Sequence, residues 1–400
     1  MPLLSTALGR IRPSPTVAIT GRALALRAEG RDIIALSAGE PDFDTPDHIR
    51  TAAKAAIDAG HTRYTAVDGM AALKRAVADK FARENGLGYA PHEISVGTGG
   101  KQVIFNALMA TLDPGDEVVI PAPYWVSYPD MVRLAGATPV IVPTTVADGF
   151  RLSTGALEAA ITPRTKWLIL NSPSNPTGAA FSAAELAALA AVLERHPQVW
   201  VLSDDIYEHL TYDGLAFATM AQVAPALKPR VLVVNGVSKA YAMTGWRLGY
   251  GAGPADLIRA MAVIQSQSTS NPSTISQWAA LAALDGPQDF LPGFRAAFQR
   301  RRDLVVAALN AIPGIRCPVP QGAFYTYPDI AALIGRTSAG GRLIATDEDF
   351  ATALLEEQGV AVVFGAAFGL SPAFRVSYAA GDDVLRAACA RIAAFCAGLR

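Results

Sequence analysis

The amino-acid sequence predicts an α/β fold in which a mostly parallel, seven-stranded sheet is covered by helices on both faces, with a smaller α+β domain attached. Three observations lead to this prediction. Short apolar segments of strand length alternate with helical segments over most of the chain. These strand segments are apolar on both faces, as in sheets covered on both sides. The chain has 400 residues, which is long for one hydrophobic core, and its pattern changes near residue 290.

The strand segments are separated by helices whose ends carry recognisable signals. Thr45 is expected to cap a helix that has Pro46 at its first position and stops at Gly60, and a second helix ends near Gly86. Ser182 and the glutamate three residues later form a capping box at the start of a third helix. The strands are EISVG, DEVVIPA, ATPVIVP, TKWLILNSP, VWVLSDDI, RVLVVNG and RLGYGAG.

The smaller domain is predicted from the change of pattern near residue 290. A long charged helix, FRAAFQRRRDLVVAALNAI, is followed by the short segments GAFYTYPDI, VAVVFG and AFRVSYAA. We expect the charges of Arg300–Arg302 to lie on a solvated face of that helix. The turn-rich N-terminal segment is expected to pack with this part, which gives a large domain at 48–290 and a small domain made of 1–47 and 291–400.

Composition excludes several classes of protein. Hydrophobic residues make up 51% of the chain, and 34 basic residues balance 35 acidic ones, so neither a nucleic-acid footprint nor a membrane-surface helix is indicated. The three cysteines and five histidines have no metal-ligand spacing, which predicts a reducing compartment, no disulfide and no metal site. No apolar run reaches about 18 residues, so we expect a soluble cytoplasmic protein.

Glycine turns and polar residues at strand ends are candidate ligand-binding positions. GTGGK, which ends at Lys101, lies between a strand and a helix, where backbone N–H groups and the helix N-terminus can hold an anion. Taken alone, the motif favours a plain tight turn between strand and helix, since it lacks the spacing of nucleotide-binding loops. Asn175 in NSPSNPTG follows another strand and is either a turn residue or a ligand-facing amide at the carboxyl end of the sheet.

Two further strand ends carry Asp204 and Lys239. A carboxylate at the end of an apolar strand is costly unless it is paired, so Asp204 is either a helix cap or the partner of a buried cation. Tyr207 could project toward the same ligand. A buried lysine loses its charge easily and can form an imine with an aldehyde, and Arg247 follows it by eight residues. The order of anion-binding turn, Asn175, Asp204 and Lys239 indicates pyridoxal chemistry, in which a lysine is paired with an acidic residue on the pyridine nitrogen.

At this point the sequence resembles the fold-type-I pyridoxal-phosphate-dependent aminotransferases, and within them the bacterial aspartate aminotransferase branch that includes aspartate/prephenate enzymes. The resemblance covers nearly the whole chain. The stretches that carry it include LSAGEPDFDTP, TRYTAVDG, VGTGGKQ, PAPYWVSYP, NSPSNPTG, SDDIYEHL, SKAYAMTGWRLGY, QGAFY and FRVSYA. It implies transamination of an L-amino acid, with aspartate favoured, and 2-oxoglutarate as the second substrate of a ping-pong cycle.

The resemblance also implies roles for individual residues. Lys239 matches the lysine that binds pyridoxal 5'-phosphate covalently and moves the proton, with Asp204 on the ring nitrogen. Asn175 and Tyr207 match the partners of the phenolic oxygen, although Trp125, which matches the stacked aromatic, could by position alone be a core residue. The phosphate-cup segments contain Gly99, Gly100, Lys101, Ser238 and Arg247. Tyr64 matches a tyrosine that serves the neighbouring subunit, which implies a homodimer with shared active sites, and Pro123 and Pro176 match cis positions.

Substrate recognition is implied in the same way. Gly39 and Arg375 match the groups that hold the α-carboxylate, with Trp125 and Asn175 beside them. Thr16 and Lys101 match positions near the distal carboxylate, and Arg12 a position used by prephenate enzymes. Two departures from the family pattern bear on this: Pro15 could shift the loop around Thr16, and Phe364 replaces a proline and adds apolar bulk that would favour aromatic substrates.

Two other readings stay open on the sequence alone. A lyase, decarboxylase or synthase could use the same cofactor on the same fold, because a fold does not define a reaction. A ligand-sensing module that binds the cofactor without turnover is less favoured, since no helix-turn-helix or basic segment precedes residue 40.

Overall fold

The computed structural model describes residues 3–400, and thirteen α-helices lie within that range. They are α1 (Pro15–Ala28), α2 (Asp47–Asp58), α3 (Ala71–Asn85), α4 (Gly100–Thr111), α5 (Ser127–Leu134), α6 (Thr154–Ala160), α7 (Ala183–Glu194), α8 (Met220–Val223), α9 (Ala255–Ser266), α10 (Thr274–Asp285), α11 (Phe290–Asn310), α12 (Asp347–Gln358) and α13 (Asp382–Ala397). The strands are β1 (Ile34–Ala35), β2 (Ile94–Gly97), β3 (Glu117–Ala122), β4 (Thr138–Pro143), β5 (Thr165–Asn171), β6 (Trp200–Asp204), β7 (Val231–Gly236), β8 (Gly249–Ala252), β9 (Tyr325–Thr326), β10 (Val360–Ala361), β11 (Val363–Phe364) and β12 (Phe374–Ser377).

Seven of these strands form one sheet in the order β2-β8-β7-β6-β5-β3-β4. Strand β8 runs antiparallel to both of its neighbours, and the remaining pairs are parallel. The predicted mostly parallel, seven-stranded sheet is therefore confirmed.

Both faces of this sheet are buried, and alternate residues of the parallel strands enter different cores. In β7, Val231 and Val233 pack with helices α2, α3, α7, α8 and α10, whereas Leu232 and Val234 pack with α4, α5 and α9. Each of these four side chains is fully buried, and each contributes about 1.5–3 kcal/mol of hydrophobic stabilisation. The two-sided burial explains why the strand segments are continuously apolar.

A third core lies between α11, α12, α13 and the short strands of the C-terminal part. Strands β11, β12 and β9 form an antiparallel sheet, and β1 pairs in parallel with β10, which brings the N-terminal segment to this core. Tyr207, Leu210 and Tyr212 from the larger part also enter it. We therefore keep the division into 48–290 and 1–47 with 291–400 as a proposal; residues 1 and 2 lie outside the described range.

Several local predictions can be compared directly with the structure. The Gly86 stop and the capping box of Ser182 are confirmed. The Thr45 cap is wrong, because its hydroxyl donates to the carbonyl of Ala242 at 2.7 Å and α2 begins at Asp47.

The cis-proline prediction is half right: Ala122–Pro123 is cis, but the second predicted cis bond, at Pro176, is not, and Ser172–Pro173 is cis instead. The solvated face predicted for Arg300–Arg302 holds only for the first of the three. Arg301 and Arg302 are buried, since they pair with carboxylates of other segments, Asp42 and Asp213.

All three cysteines are buried free thiols. Across residues 3–400, no helix combines the length and the apolar character that a membrane crossing would need.

Candidate active site

A cavity of about 580 Å³ lies at the carboxyl ends of β5, β6 and β7, where they face β12 and the N-terminal segment. Parallel strands present their carboxyl ends at one edge of a sheet, and ligands of open α/β sheets bind at that edge. In the register of the sheet, Asn171 at the end of β5 lies opposite Asp204 at the end of β6. The structure brings twelve of the sequence-predicted residues to this cavity: Thr16, Gly39, Gly100, Lys101, Trp125, Asn175, Asp204, Tyr207, Ser238, Lys239, Arg247 and Arg375.

Three predicted residues do not line the cavity. Gly99 lies directly beneath Arg247: its φ is +84°, and a Cβ there would approach Nη2 of that arginine to 2.6 Å. Arg12 lines an adjoining cavity of about 460 Å³, which it shares with Lys101 and Arg247. Tyr64 is 90% exposed and lies on the surface.

Lys239 follows β7 and is held against the N-terminal segment. Its Nζ donates to the carbonyl oxygen of Gly39 at 2.6 Å. Burial, together with the nearby positive charge of Arg247, lowers the pKa of Lys239 to about 8. An appreciable fraction of this amine is therefore neutral near physiological pH, as a nucleophile or a general base requires.

Asp204 is a buried carboxylate that forms no ion pair within residues 3–400. Burial raises its pKa to about 6, while a hydrogen bond from the hydroxyl of Tyr128 at 2.5 Å to Oδ2 acts in the opposite direction. The amide of Asn171 donates to the backbone oxygen of Asp204 at 2.9 Å, which holds the strand end in place. The carboxylate would gain from a positively charged ligand atom.

Two buried tyrosines meet on the other side of the cavity. The hydroxyls of Tyr207 and Tyr325 are 3.0 Å apart and the rings stand nearly perpendicular. Burial raises the pKa of Tyr207 well above its ordinary range, so its hydroxyl stays a neutral donor. A Cβ at Gly39 would lie 2.9 Å from the Tyr325 hydroxyl, which explains why that position has no side chain.

Arg375 is 3% exposed and has no carboxylate within ion-pair distance among residues 3–400. Its Nη1 donates to Oδ1 of Asn175 at 2.9 Å and its Nη2 to the carbonyl of Ser37 at 2.6 Å, while the buried Nε finds no acceptor in the part of the chain that the structure describes. The guanidinium lies over the rings of Tyr325 and Phe368, and burial lowers its pKa. A buried guanidinium with unused donors is a site for a carboxylate.

The opposite end of the cavity is built for an anion. Helix α4 begins at Gly100, and its N-terminus is joined there by the side chains of Lys101 and Arg247. Arg247 has a left-handed backbone, with φ +53°, and its Nη1 donates to the carbonyl of Thr244. Lys101 Nζ lies 4.9 Å from the centre of the Trp125 ring, and burial with the charge of Arg247 lowers its pKa. Like charges held together in this way favour a bound phosphate.

Comparison with known proteins agrees with this geometry. Residues 31–392 match the family model described as aminotransferase class I and II. The chain belongs to the class I and II aminotransferase family.

Relatives of this aminotransferase align with it almost end to end. An aspartate/prephenate aminotransferase of Cereibacter sphaeroides is 67% identical, with 100% of each chain covered, and an aspartate aminotransferase of Rhizobium meliloti is 57% identical, with 98% of this chain and 96% of the relative covered. Among solved structures, the Rhizobium meliloti aspartate aminotransferase has a TM-score of 0.97 at 56% identity and 100% coverage of both chains. The Thermus thermophilus aspartate aminotransferase with maleate has a TM-score of 0.92 at 45% identity, with 99% and 100% covered.

Sequence reasoning assigned no role to several residues of the cavity. Tyr128 and Tyr325 lie in PAPYWVSYP and QGAFY, stretches that carry the family resemblance but assign no function to these two hydroxyls. Glu40 also lines the cavity, and its Oε2 accepts a hydrogen bond from Thr244 at 2.9 Å. The only signal in the sequence for the two tyrosines is a hydroxyl group within an apolar motif. It does not reveal the hydrogen-bond partners, Asp204 and Tyr207, because these lie far away in sequence.

Proposed function

We propose that this aminotransferase uses pyridoxal 5'-phosphate and transfers the amino group of L-aspartate to 2-oxoglutarate by a ping-pong mechanism. One observation carries the proposal: a lysine with a lowered pKa, a buried carboxylate and a buried arginine that has no counter-ion among residues 3–400 face the same cavity. Each of these is costly in an apolar setting, and each is suited to a different part of the cofactor or the substrate.

The cavity has the donors and charges that pyridoxal phosphate requires. Asp204 is a buried carboxylate with a raised pKa, and a protonated ring nitrogen would restore its charge. Because Oδ1 of Asn175 faces Arg375, the amide NH₂ of Asn175 is left to donate, as is suited to the phenolic oxygen. The residues that would hold the cofactor are Lys239, Asp204, Asn175, Tyr207 and Trp125, with Tyr64 of a second subunit and the phosphate cup of Gly99, Gly100, Lys101, Ser238 and Arg247. Pyridoxal phosphate, when bound, supplies an electron sink for the bonds at the substrate Cα.

Lys239 is the proton-transfer residue of this mechanism. With a pKa of about 8, its Nζ can accept a proton from the substrate Cα while neutral and return the proton while charged, both near physiological pH. The carbonyl of Gly39, which accepts a hydrogen bond from Nζ, holds the amine at the cavity wall. Tyr207 stays protonated and donates, so it orients without exchanging a proton.

The charge distribution favours a dicarboxylic substrate. Arg375 and Gly39 would bind the α-carboxylate at one end, with Asn175 beside them, and Lys101 and Thr16 would bind the distal carboxylate. The names of the relatives support aspartate, and the Thermus thermophilus structure was obtained with maleate, itself a dicarboxylate. Pro15 is the first residue of α1, the Thr16 hydroxyl lies 2.9 Å from that of Ser14, and Thr16 lines the cavity.

A second candidate substrate is prephenate. Arg12 and Lys101 share the adjoining cavity with the apolar side chains of Phe105 and Met131, which together could accept a ring that bears a carboxylate. The Cereibacter sphaeroides relative carries both activities in its name. Phe364 gives no support to aromatic substrates, because it packs against the small-domain core and does not line the cavity.

We also propose a homodimer. Tyr64 is a large aromatic side chain that is 90% exposed, and Val263 is 63% exposed, as expected where a partner covers apolar surface. Sedimentation velocity should give twice the mass of the 41.9 kDa chain. A monomer with full activity would contradict both the dimer and the role of Tyr64.

The proposed reaction is tested with the purified, cofactor-loaded protein. L-Aspartate alone should change the absorbance of the bound cofactor, and 2-oxoglutarate should restore it with formation of one glutamate per oxaloacetate. Prephenate and L-phenylalanine, each tested against its own partner substrate, measure the breadth of specificity. Lys239→Ala should abolish turnover with the fold retained. Loss of the amino group without glutamate formation would instead identify a lyase, and an unchanged spectrum with every amino acid would exclude transamination.

A further inference from the structure

The two carboxylate oxygens of Asp204 differ in the hydrogen bonds that they accept. Its backbone oxygen accepts from Asn171 and from the N–H of Ser172, so the main chain is fixed. In the side chain, Oδ2 accepts the hydroxyl of Tyr128 at 2.5 Å, whereas Oδ1 accepts only a long hydrogen bond of 3.4 Å from the N–H of Ile206. Free acceptor capacity is therefore concentrated on Oδ1.

Tyr128 is itself buried and packed on several sides. It lies in the first turn of α5, is 2% exposed and packs in the core formed by α4, α5 and α9. Its ring stands edge-on to Trp125 at 5.2 Å, and its N–H donates to the Trp125 carbonyl. Burial and the charge of Asp204 raise the pKa of Tyr128 well above its ordinary range, so the hydroxyl remains a donor.

We propose that Tyr128 is a positioning residue, which fixes the rotamer of Asp204 through Oδ2 and so leaves Oδ1 to meet the ring nitrogen of the cofactor. This inference rests on the cofactor assignment made above, and Tyr128 itself belongs to none of the predicted cofactor contacts. Charge-assisted hydrogen bonds are short and roughly twice as strong as neutral ones, so a single hydroxyl is sufficient to select one carboxylate orientation. The same bond favours the ionised form of Asp204 against the effect of burial.

The titratable groups around Asp204 come from three directions. Tyr128 faces it from α5, Lys239 from the segment after β7, and Asp205 and Tyr207 from its own segment. Only Tyr128 makes a side-chain hydrogen bond to the Asp204 carboxylate among the described residues. Removing that hydroxyl should therefore change the orientation and the pKa of Asp204 more than those of any other group.

The first measurement needs no cofactor. Infrared difference spectra of the cofactor-free protein, with Asp204→Asn as the reference, report the Asp204 carboxyl as a function of pH. We expect its titration near pH 6 in the wild type and about one pH unit higher in Tyr128→Phe. Tyr124→Phe is the matched control, because Tyr124 lies in the same segment and its hydroxyl makes no hydrogen bond in residues 3–400. An unmoved titration in Tyr128→Phe would overturn the proposal.

The second measurement is a double-mutant cycle on the dissociation constant of pyridoxal phosphate. Tyr128→Phe should weaken binding roughly tenfold in the wild type and less than twofold in Asp204→Ala, since the hydroxyl acts through the carboxylate. Equal weakening in both backgrounds would mean that Tyr128 only packs, and would overturn the positioning role. If the wild type does not bind pyridoxal phosphate, the proposed function fails, whereas the Tyr128–Asp204 interaction is still decided by the infrared titration.

Discussion

Arg375 offers the sharpest test of substrate recognition. A guanidinium has five N–H donors, and the structure uses two of them, toward Asn175 and Ser37. Three donors remain, including the buried Nε, which is enough for both oxygens of one carboxylate. Arg375→Met removes the charge and the fork together, whereas Arg375→Lys keeps the charge and loses the planar fork.

The magnitude follows from these contacts. A hydrogen bond to a charged group contributes about 1.5–3 kcal/mol, so a bidentate pair contributes about 3–6 kcal/mol. Since about 1.36 kcal/mol corresponds to a factor of ten, Arg375→Met should lower kcat/KM for L-aspartate and for 2-oxoglutarate roughly 10²- to 10⁴-fold. Arg375→Lys should lower kcat/KM only by about the square root of that factor, because one N–H donor can still reach one carboxylate oxygen.

The assay is the kinetics of each half-reaction, followed by the absorbance of the bound cofactor. Arg302→Met is the matched control: Arg302 is also 3% exposed, but it already pairs with Asp213 and lies outside the cavity. This control should lower thermal stability and leave kcat/KM near the wild-type value. A value of kcat/KM in Arg375→Met within threefold of wild type would refute the assignment of the carboxylate site.

Three further predictions concern buried charges and one glycine. Lys80→Met should lower the free energy of unfolding by about 3–5 kcal/mol in urea denaturation, because the fully buried Lys80 is paired with Glu208. Lys239→Met should stabilise the cofactor-free protein by about 1–2 kcal/mol at pH 7, because burying the charged amine destabilises the folded state. Since the pKa of Lys239 is lowered from 10.5 to about 8 on folding, thermal melts should show this gain disappearing as the pH rises from 8 to 10.5. Gly99→Ala should displace Arg247 and weaken cofactor binding about tenfold in a fluorescence titration, with the fold retained. Each prediction has an outcome that would contradict its reason. These are wild-type stability in Lys80→Met, a stability gain in Lys239→Met that does not depend on pH, and wild-type cofactor affinity in Gly99→Ala.

The errors of sequence reasoning have a common cause. Thr45 is a residue type typical of helix caps, yet its hydroxyl donates a hydrogen bond to the carbonyl of Ala242, which lies 197 residues away. Arg301 and Arg302 read as solvated charges because their partners, Asp42 and Asp213, belong to other segments. A local pattern records what a side chain can do, but burial and pairing depend on which distant segment packs against it.

The sequence by itself determined the seven-stranded sheet and the strand ends that carry Asn175, Asp204 and Lys239. It could do so because continuous apolar strands and glycine turns are local signals, and because parallel strands bring their carboxyl ends to one edge. Only the tertiary structure decided which side chains complete the site. Tyr128 meets Asp204 across 76 residues and Tyr325 meets Tyr207 across 118. A hydrogen bond depends on tenths of an ångström and on direction, and those are set when the helices and strands pack together.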